Sequence, residues 1–298
     1  MRTVYLGTSE FAVAVLERLA ASPHRPELVV TRPDRPRGRG RRLTPPPVAV
    51  AACELGIEVD QPASVNDADA RARIAQAAPD VVVVCAFGAL IKEELLAAHH
   101  ILNVHPSLLP RWRGAAPIER AIIAGDCITG VSIMELTAGL DSGPVCLEES
   151  EPIEPEDTYG TLEQRLQRIG GDLLVRALDA SPTCAEQDDA RATYADKITA
   201  ADRELDPGKP AAELERIVRA LTPHIGAYVT LADGTALGVR EARVAPPGDA
   251  AGTIPPGTVS FDGPLPVLAT ADGMLDLVVV QPPGKRPMPG GDYLRGRR

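Results

Sequence analysis

The first half of this 298-residue chain alternates short aliphatic runs with segments of helical periodicity, and this alternation constrains the fold most. The clearest run, residues 81–85, is apolar at every position, which is typical of strands buried on both faces of a parallel sheet. Regular β/α alternation predicts an α/β fold with a doubly wound sheet. Strands are expected at 4–7, 28–30, 57–59 and 81–85, and helices at 11–20, 48–55, 68–77 and 158–180.

The turn after the first strand argues against a nicotinamide cofactor. One glycine, Gly7, stands where a dinucleotide fingerprint carries three. The sheet is therefore expected to be Rossmann-like in shape without the usual ligand, and a nicotinamide oxidoreductase is disfavoured.

Two loops that follow apolar segments carry an amide, an imidazole and a carboxylate. Asn103 and His105 differ by two positions, so both side chains point to the same side of an extended strand. Asp141 lies between two glycines after a second β-prone run, 131–136. Ligands of open α/β sheets gather outside the carboxyl ends of the strands, where we expect these three groups to meet.

Three such groups suit acyl transfer without an enzyme nucleophile. An amide and an imidazolium stabilise an oxyanion, and a carboxylate orients the imidazole and helps to remove a proton from an attacking amine. The sequence has no Gly-x-Ser-x-Gly elbow, so a covalent mechanism is unsupported. Each residue also has a structural alternative: His105 as a satisfied strand-end histidine, and Asn103 or Asp141 as a turn residue.

The cysteine spacing and the hydrophobic pattern limit the class of protein to which the chain can belong. The five cysteines are widely separated and form no Cys-x-x-Cys pair, which disfavours both a disulfide framework and a zinc site. The N-terminus starts a β-prone run at once and has no targeting pattern, and the longest apolar run, 81–91, is too short to span a bilayer. We expect a reduced, cytoplasmic protein with no membrane partner and no metal.

The net charge of −10 argues, taken alone, against a nucleic-acid partner. Residues 31–42, however, hold six arginines against one acid, and the local charge matters more than the sum. The planar fork of arginine suits phosphates and guanine edges. The alternative is that this segment is solvated and disordered, because charged segments that contain proline and glycine are usually disordered.

The pattern changes after residue 185. Residues 186–206 are expected to form a linker between a catalytic domain at 1–185 and a second domain at 207–298. A helix expected at 211–221 precedes β-prone runs at 227–231, 237–244, 257–261, 265–270 and 274–280. Five short strands with this spacing predict a C-terminal OB-like β-barrel, a form that binds single-stranded or end-frayed nucleic acid.

Five stretches, in order and over nearly the whole chain, resemble the methionyl-tRNA formyltransferases. They lie at 7–12, 33–42, 103–143, 194–198 and 281–285, and the third contains the run Leu-Leu-Pro-Arg-Trp-Arg-Gly-Ala-Ala-Pro. Five ordered matches are far stronger than any single motif. The resemblance implies formyl transfer from 10-formyltetrahydrofolate to the α-amino group of methionine on initiator tRNA, for translation initiation.

The resemblance also assigns residues. It implies Asn103, His105 and Asp141 as the catalytic residues. The implied folate-binding residues are Cys85, Phe87, Gly88, Leu90, Ser107, Leu108, Leu109 and Pro110. The implied tRNA-binding residues are Arg35, Arg37, Arg39, Arg41 and Arg42, which enter the acceptor end of the tRNA with Arg39 near the terminal unpaired position.

Some interpretations stay open. Ser107 is interpreted as a local backbone cap rather than a nucleophile, and His224 as structural or surface. Relatives often have Trp-Pro where Pro223-His224 stands, which leaves the RNA-facing surface of the barrel less defined. A formyltransferase for a small amine, such as a nucleotide sugar or a purine precursor, shares the same three residues and is the alternative. A non-catalytic RNA-binding protein is a second one. We expect a monomer.

Overall fold

The computed structural model describes residues 1–37, 40–246 and 254–296, with the backbone alone for Arg37. The chain divides into two compact units. The first contains Met1–Pro117, Ile128–Pro152 and Glu163–Ala195, and the second contains Ile118–Cys127, Ile153–Leu162 and Asp196–Arg298. Within the described ranges, no helix has the length and apolar character needed to cross a membrane.

Strands and helices alternate from the N-terminus, as predicted. The strands are β1 (Thr3–Gly7), β2 (Pro26–Val30), β3 (Arg35–Arg37), β4 (Arg42–Thr44), β5 (Glu58–Asp60), β6 (Val81–Cys85), β7 (Ile101–His105), β8 (Arg113–Gly114), β9 (Ile128–Glu135), β10 (Val145–Pro152) and β11 (Tyr194–Ala195). The helices are α1 (Glu10–Ala20), α2 (Pro47–Glu54), α3 (Ala68–Gln76), α4 (Glu93–Leu96), α5 (Pro117–Ala124) and α6 (Tyr159–Ala180).

The central sheet has the strand order β10-β9-β7-β6-β1-β2-β5. Strands β7, β6, β1, β2 and β5 are parallel, whereas β9 is antiparallel to β7 and β10 is antiparallel to β9. Every residue of β1, β6 and β7 is buried, which explains why the sequence of β6 is apolar throughout.

The turn between β1 and α1 depends on Gly7. A Cβ at this position would lie 2.7 Å from Tyr5 Cε1 and 2.9 Å from the Ala12 Cβ. Ser9 caps α1 by accepting a hydrogen bond from the Ala12 amide. The glycine therefore serves close packing of the helix against the strand.

The second unit is built on an antiparallel sheet with the order β12-β13-β16-β15-β14, and β17 pairs with β16. Its elements are α7 (Ala211–Ala220), β12 (Ala227–Thr230), β13 (Ala236–Val244), β14 (Val259–Ser260), β15 (Val267–Ala269), β16 (Met274–Gln281), β17 (Met288–Pro289) and α8 (Gly290–Arg295). α7 buries Leu214, Ile217 and Val218 in one apolar cluster with Val239 and Leu277 of the sheet. Burial of this apolar face stabilises the unit.

The predicted fold class is confirmed, since a mostly parallel α/β sheet precedes a C-terminal antiparallel β domain. The strand expected at 257–261 is limited to β14, because Pro255 to Gly257 form a turn before it and Asp262 starts a bend after it. His224 is structural, as predicted: its ring stacks on Tyr159 with centroids 3.7 Å apart, and its Nε2 lies 3.0 Å from Glu119 Oε1.

The segment predicted as a linker, 186–206, has structure of its own. It contains β11, which pairs in parallel with β8, and 3-10 turns at Asp189–Arg191 and Ala201–Arg203. The boundary between the two compact units falls after Ala195, inside this segment. Domains at 1–185 and 207–298 stay a prediction.

The expectation that the cysteines stay unpaired is wrong for one pair, because Cys146 and Cys184 form a disulfide. Their neighbours Val145 and Ala185 exchange two backbone hydrogen bonds of 2.8 Å, which places the two cysteines opposite each other across an antiparallel bridge. The cysteines are 38 positions apart, so this pairing follows from the fold and leaves no spacing motif in the sequence.

Candidate active site

Strand β7 carries Asn103 and His105 to the carboxyl edge of the sheet. Asn103 lies opposite Met134 of β9, and His105 lies opposite Ser132. Both side chains are buried although they are polar. Buried polar groups need partners, so the residues around them decide what they do.

Asp141 lies in the turn between β9 and β10. Its φ is +46°, in the left-handed region, which aspartate adopts in turns more readily than most residues other than glycine. Gly143 follows it, and a Cβ there would lie 2.0 Å from the Glu135 carbonyl oxygen. The turn therefore needs glycine at this point in order to fold back towards β7.

The structure brings the three predicted catalytic residues together. Asn103 Nδ2 lies 3.5 Å from Asp141 Oδ1, and His105 Nδ1 lies 3.8 Å from Asp141 Oδ2. The Gly114 amide donates a hydrogen bond of 2.9 Å to Asp141 Oδ2. The first two contacts are longer than ordinary hydrogen bonds, as catalytic contacts commonly are before substrate binds.

The second ring nitrogen of His105 shows which tautomer is present. His105 Nε2 lies 2.9 Å from the Trp112 carbonyl oxygen. A carbonyl oxygen only accepts, so Nε2 carries a hydrogen. Nδ1 is the nitrogen that faces Asp141, 3.8 Å from Oδ2.

Cys85 ends β6, next to β7, but it is not a nucleophile. Burial raises the pKa of the Cys85 thiol to about 12, so the group stays protonated at neutral pH. A thiol, unlike a thiolate, does not attack a carbonyl carbon readily. This agrees with acyl transfer that needs no covalent enzyme intermediate.

The loop after β6 carries four predicted folate-binding residues, which differ in accessibility. Gly88 and Leu90 are exposed, and the side chain of Leu90 is 74% accessible. Cys85 and Phe87 are buried, and the Phe87 carbonyl oxygen accepts a hydrogen bond of 2.9 Å from Thr8 Oγ1. Cys85 and Phe87 thus support the loop from inside, and folate contact by all four stays a prediction.

The loop after β7 carries the other four. Ser107 Oγ donates a hydrogen bond of 2.6 Å to the Arg111 carbonyl oxygen, which confirms its interpretation as a local backbone cap. The Leu109 amide donates to Ser132 Oγ at 3.1 Å, and the peptide bond to Pro110 is cis. Leu108 and Pro110 are partly exposed. These positions shape the rim of the site, and their contact with folate also stays a prediction.

Strands β3 and β4 form a hairpin that presents arginines. Arg35, Arg41 and Arg42 are exposed, and the backbone of Arg37 pairs with Arg42. Arg39 lies outside the described residues. The structure thus places a basic hairpin on the surface, and the role of these arginines in tRNA binding stays a prediction.

Comparison with known proteins identifies the family. The family model described as formyl transferase matches residues 1–178, and that described as formyl transferase, C-terminal domain, matches residues 197–298. A methionyl-tRNA formyltransferase from Halorhodospira halophila (strain DSM 244 / SL1) is 45% identical over 305 residues, which cover 100% of this chain and 96% of that protein. One from Ectopseudomonas mendocina (strain ymp) is 43% identical over 304 residues, with 100% and 95% covered. The chain belongs to the methionyl-tRNA formyltransferases.

Solved structures share the fold of this family. A methionyl-tRNA formyltransferase from Clostridium thermocellum matches with a TM-score of 0.61 and 14% identity, covering 82% of this chain and 94% of that one. HypX from Aquifex aeolicus, in complex with tetrahydrofolic acid, matches with a TM-score of 0.64 and 18% identity, covering 99% of this chain and 47% of that one. At these identities the likeness shows the fold alone.

The resemblance to methionyl-tRNA formyltransferases did not reveal every residue around Asp141. Gly114 and the Trp112 carbonyl group lie within the matching stretch 103–143, but they contact Asp141 and His105 through backbone atoms, and the sequence does not reveal those contacts. Gln187 lies within the segment predicted as a linker and donates hydrogen bonds to the loop that carries Asp141. Its environment depends on the fold and is not visible in composition.

One group of potential metal ligands occurs in the described part of the chain. Ligand atoms of Glu135, Cys146 and Cys184 lie within 4.8 Å of one another. The two sulfur atoms are bonded to each other, which removes them as thiolate ligands in this state. The expectation that no metal takes part stays a prediction.

Proposed function

We propose that this protein transfers the formyl group of 10-formyltetrahydrofolate to the α-amino group of methionine carried by initiator tRNA. The observation that carries the proposal is the convergence of Asn103, His105 and Asp141 at the end of β7. Family membership over the full length of the chain indicates which reaction these three residues support. The products are formylmethionyl-tRNA, used in translation initiation, and tetrahydrofolate.

The carboxyl edge of the sheet suits a folate. Leu90 offers an exposed apolar side chain, and Gly88, with φ +66°, is exposed beside the Arg32 guanidinium, where a Cβ would lie 3.1 Å from Arg32 Nη2. Pterins need both an apolar surface and backbone hydrogen-bonding groups, and the exposed loop 88–90 is proposed to meet the ring. The donor supplies an activated formyl group, and the residues of the chain provide its orientation.

Asn103 and His105 stabilise negative charge on the formyl oxygen during attack. The Asn103 amide group donates to this oxygen, and His105 uses Nδ1, because Nε2 donates to the Trp112 carbonyl oxygen. Their donors are fixed before substrate arrives, because both residues lie on a buried strand that is paired on both sides. Donors placed in advance lower the barrier without reorganisation, and each is worth on the order of 10²–10³ in rate.

Asp141 is proposed to accept the proton that the attacking amine loses. The amine forms a bond to the formyl carbon, and the bond from that carbon to N10 of folate breaks. The attacking nitrogen loses a proton towards Asp141, directly or through water, and N10 gains one, so the charges balance. Asp141 also orients the imidazole ring, since its Oδ2 lies 3.8 Å from His105 Nδ1.

The basic hairpin is proposed to dock the acceptor stem. Arg35, Arg41 and Arg42 are exposed on or beside β3 and β4, in a chain with a net charge of −10. A local positive surface on an acidic body favours contact with phosphates at one place and disfavours it elsewhere. Arg37 and Arg39 are proposed to extend this surface, and the C-terminal β domain to hold the tRNA body. The protein is proposed to act as a cytoplasmic monomer, with no metal or membrane.

The test is formylation by the purified protein with 10-formyltetrahydrofolate and three acceptors. These are methionyl initiator tRNA, methionyl elongator tRNA and a nucleotide-linked amino sugar. Rapid formylation of the initiator tRNA alone supports the proposal. Turnover of the amino sugar with neither tRNA formylated favours the small-amine alternative. No turnover with any acceptor overturns the assignment as an enzyme.

A further inference from the structure

A short segment after α6 lies alongside the turn that carries Asp141. Residues 184–189, here called the strap, begin with the disulfide to Cys146 and the backbone bridge between Val145 and Ala185. These contacts align the strap with the start of β10. Gln187 is thereby placed beside residues 141–143.

The side chain of Gln187 joins two parts of the site. Its Nε2 donates hydrogen bonds to the Asp141 carbonyl oxygen at 2.9 Å and to the Gly143 carbonyl oxygen at 2.7 Å. Its Oε1 accepts a hydrogen bond of 3.0 Å from Arg113 Nε. Arginine only donates and carbonyl groups only accept, so these neighbours permit a single orientation of the amide.

Arg113 connects the strap to the loop that touches the carboxylate. Its side chain is only 4% exposed, and its Nη2 lies 2.7 Å from Asp189 Oδ1. The next residue, Gly114, donates its amide hydrogen to Asp141 Oδ2. Asp141 is therefore held at its carbonyl group by Gln187 and at its carboxylate by Gly114, and Arg113 links the two supports into a closed ring.

We propose that Gln187 is a positioning residue for the reaction, acting through Asp141, with Arg113 fixing the direction of its amide. The inference rests on the proposed function, because it assigns a role relative to Asp141. Asp141 needs support from neighbouring side chains because it has φ +46° and lies in a turn that is not hydrogen-bonded into the sheet. The two hydrogen bonds from Gln187 hold that turn where the carboxylate meets His105.

Gln187→Glu tests the proposed role of Gln187 most directly. It keeps the size of the side chain and strengthens the pairing with Arg113, but it replaces two donated hydrogens with an oxygen that faces two carbonyl oxygens. We expect kcat for formylation to fall about tenfold to a hundredfold through misplacement of Asp141, with KM for the folate donor little changed. Gln187→Met, a neutral isostere without donors, is expected to lose activity in the same direction if the charged variant folds poorly.

Glu186→Gln is the matched control. Glu186 is exposed and adjacent to Gln187 in the strap, so the same one-unit change in charge leaves the bonds that join Gln187 to Arg113 and to the turn in place. We expect this variant to retain wild-type kcat. A thermal unfolding curve for each variant separates a loss of rate from a loss of folded protein.

A double-mutant cycle with Asp141→Asn distinguishes positioning from a general structural effect. If Gln187 acts through Asp141, adding Gln187→Glu to Asp141→Asn lowers kcat by little more than Asp141→Asn does alone. Fully additive losses, or wild-type kcat in both folded Gln187 variants, overturn the inference. Absence of formylation by the wild type would overturn the proposed function instead, so the two failures are distinguishable.

Discussion

The two halves of the catalytic centre are held by different kinds of structure. Asn103 and His105 lie on β7, which is paired with β6 on one side and with β9 on the other. Asp141 lies in a turn and depends on Gly114 and Gln187 for its place. A paired strand cannot shift by one residue without inverting its side chains, whereas a turn with few partners moves at low cost. The proposed oxyanion donors are thus fixed by the sheet, and the carboxylate by a network of side-chain and backbone contacts.

Asn103→Ala tests the half held by the sheet and should have the largest effect. We expect kcat to fall by about 10²–10³ because an oxyanion donor is removed, while the neighbours of β7 keep the backbone in place. KM for the folate donor should change little. Steady-state kinetics and a thermal unfolding curve measure the two properties separately. Wild-type turnover in the folded variant would remove Asn103 from the reaction.

Gly114→Ala tests the part of the site that contains Asp141, which is held by side-chain and backbone contacts rather than by the sheet. Gly114 has φ +122°, and a Cβ there would lie 2.8 Å from the Ala195 carbonyl oxygen, so β8 must move away from β11. We expect a loss of about 1–3 kcal/mol in the free energy of unfolding and a fall in kcat, because the amide that holds Asp141 moves as well.

The control for that variant is Gly56→Ala. Gly56 also has a positive φ, +67°, but a Cβ there would meet nothing within 4 Å. It has a positive φ, in the left-handed region that other residues adopt more easily than +122°, it lacks the clash, and it lies away from Asp141 in the sequence. Denaturant titration and kcat for both variants provide the comparison, and an equal fall in kcat for the two would contradict a specific role for Gly114.

Cys184→Ser tests the outer anchor of the strap. Closing a loop of 38 residues restricts the unfolded chain by about 4 kcal/mol in the chain-entropy account, so we expect a clear fall in the midpoint of unfolding. We expect a smaller fall in kcat than for Gln187→Glu, since the bridge between Val145 and Ala185 remains. Reductant should lower the midpoint of the wild type and leave that of Cys184→Ser unchanged. Cys53→Ser, at an exposed free cysteine, is the control.

Arg42→Ala leaves both halves of the centre intact and should have the smallest effect on chemistry. We expect the salt dependence of tRNA binding to fall by about one unit of slope, because one phosphate contact is lost. Turnover of a small amine surrogate should be unchanged. Binding measured across a salt series gives the slope, and an equal loss on both acceptors would count against docking by the hairpin.

The sheet and its donors were predictable from sequence because their signals are local. Continuous apolar sequence marked β6, and the spacing of two between Asn103 and His105 placed both side chains on one side of β7. The meeting of these residues with Asp141 followed from the rule that ligands gather at the carboxyl edge. Each step used residue type and short spacing alone.

The supports of Asp141 were not predictable in the same way. Gln187 stands among acidic and small residues that read as a linker, and the sequence around it contains no hydrophobic period. The disulfide joins residues 38 positions apart, and Gly114 acts through its amide hydrogen. Such contacts depend on where the completed fold brings distant segments, so residue patterns carry no trace of them.

The position of the strap determines how long a segment must be transferred for this site to stay complete when domains are exchanged between proteins. The formyl transferase match ends at residue 178, before Gln187 and before β11. A recombination point at that boundary would transfer all three reacting groups without the segment that aligns one of them. With the proposed role of Gln187, the smallest portable module of this enzyme extends through Ala195, beyond residue 178, where the match to the first family model ends.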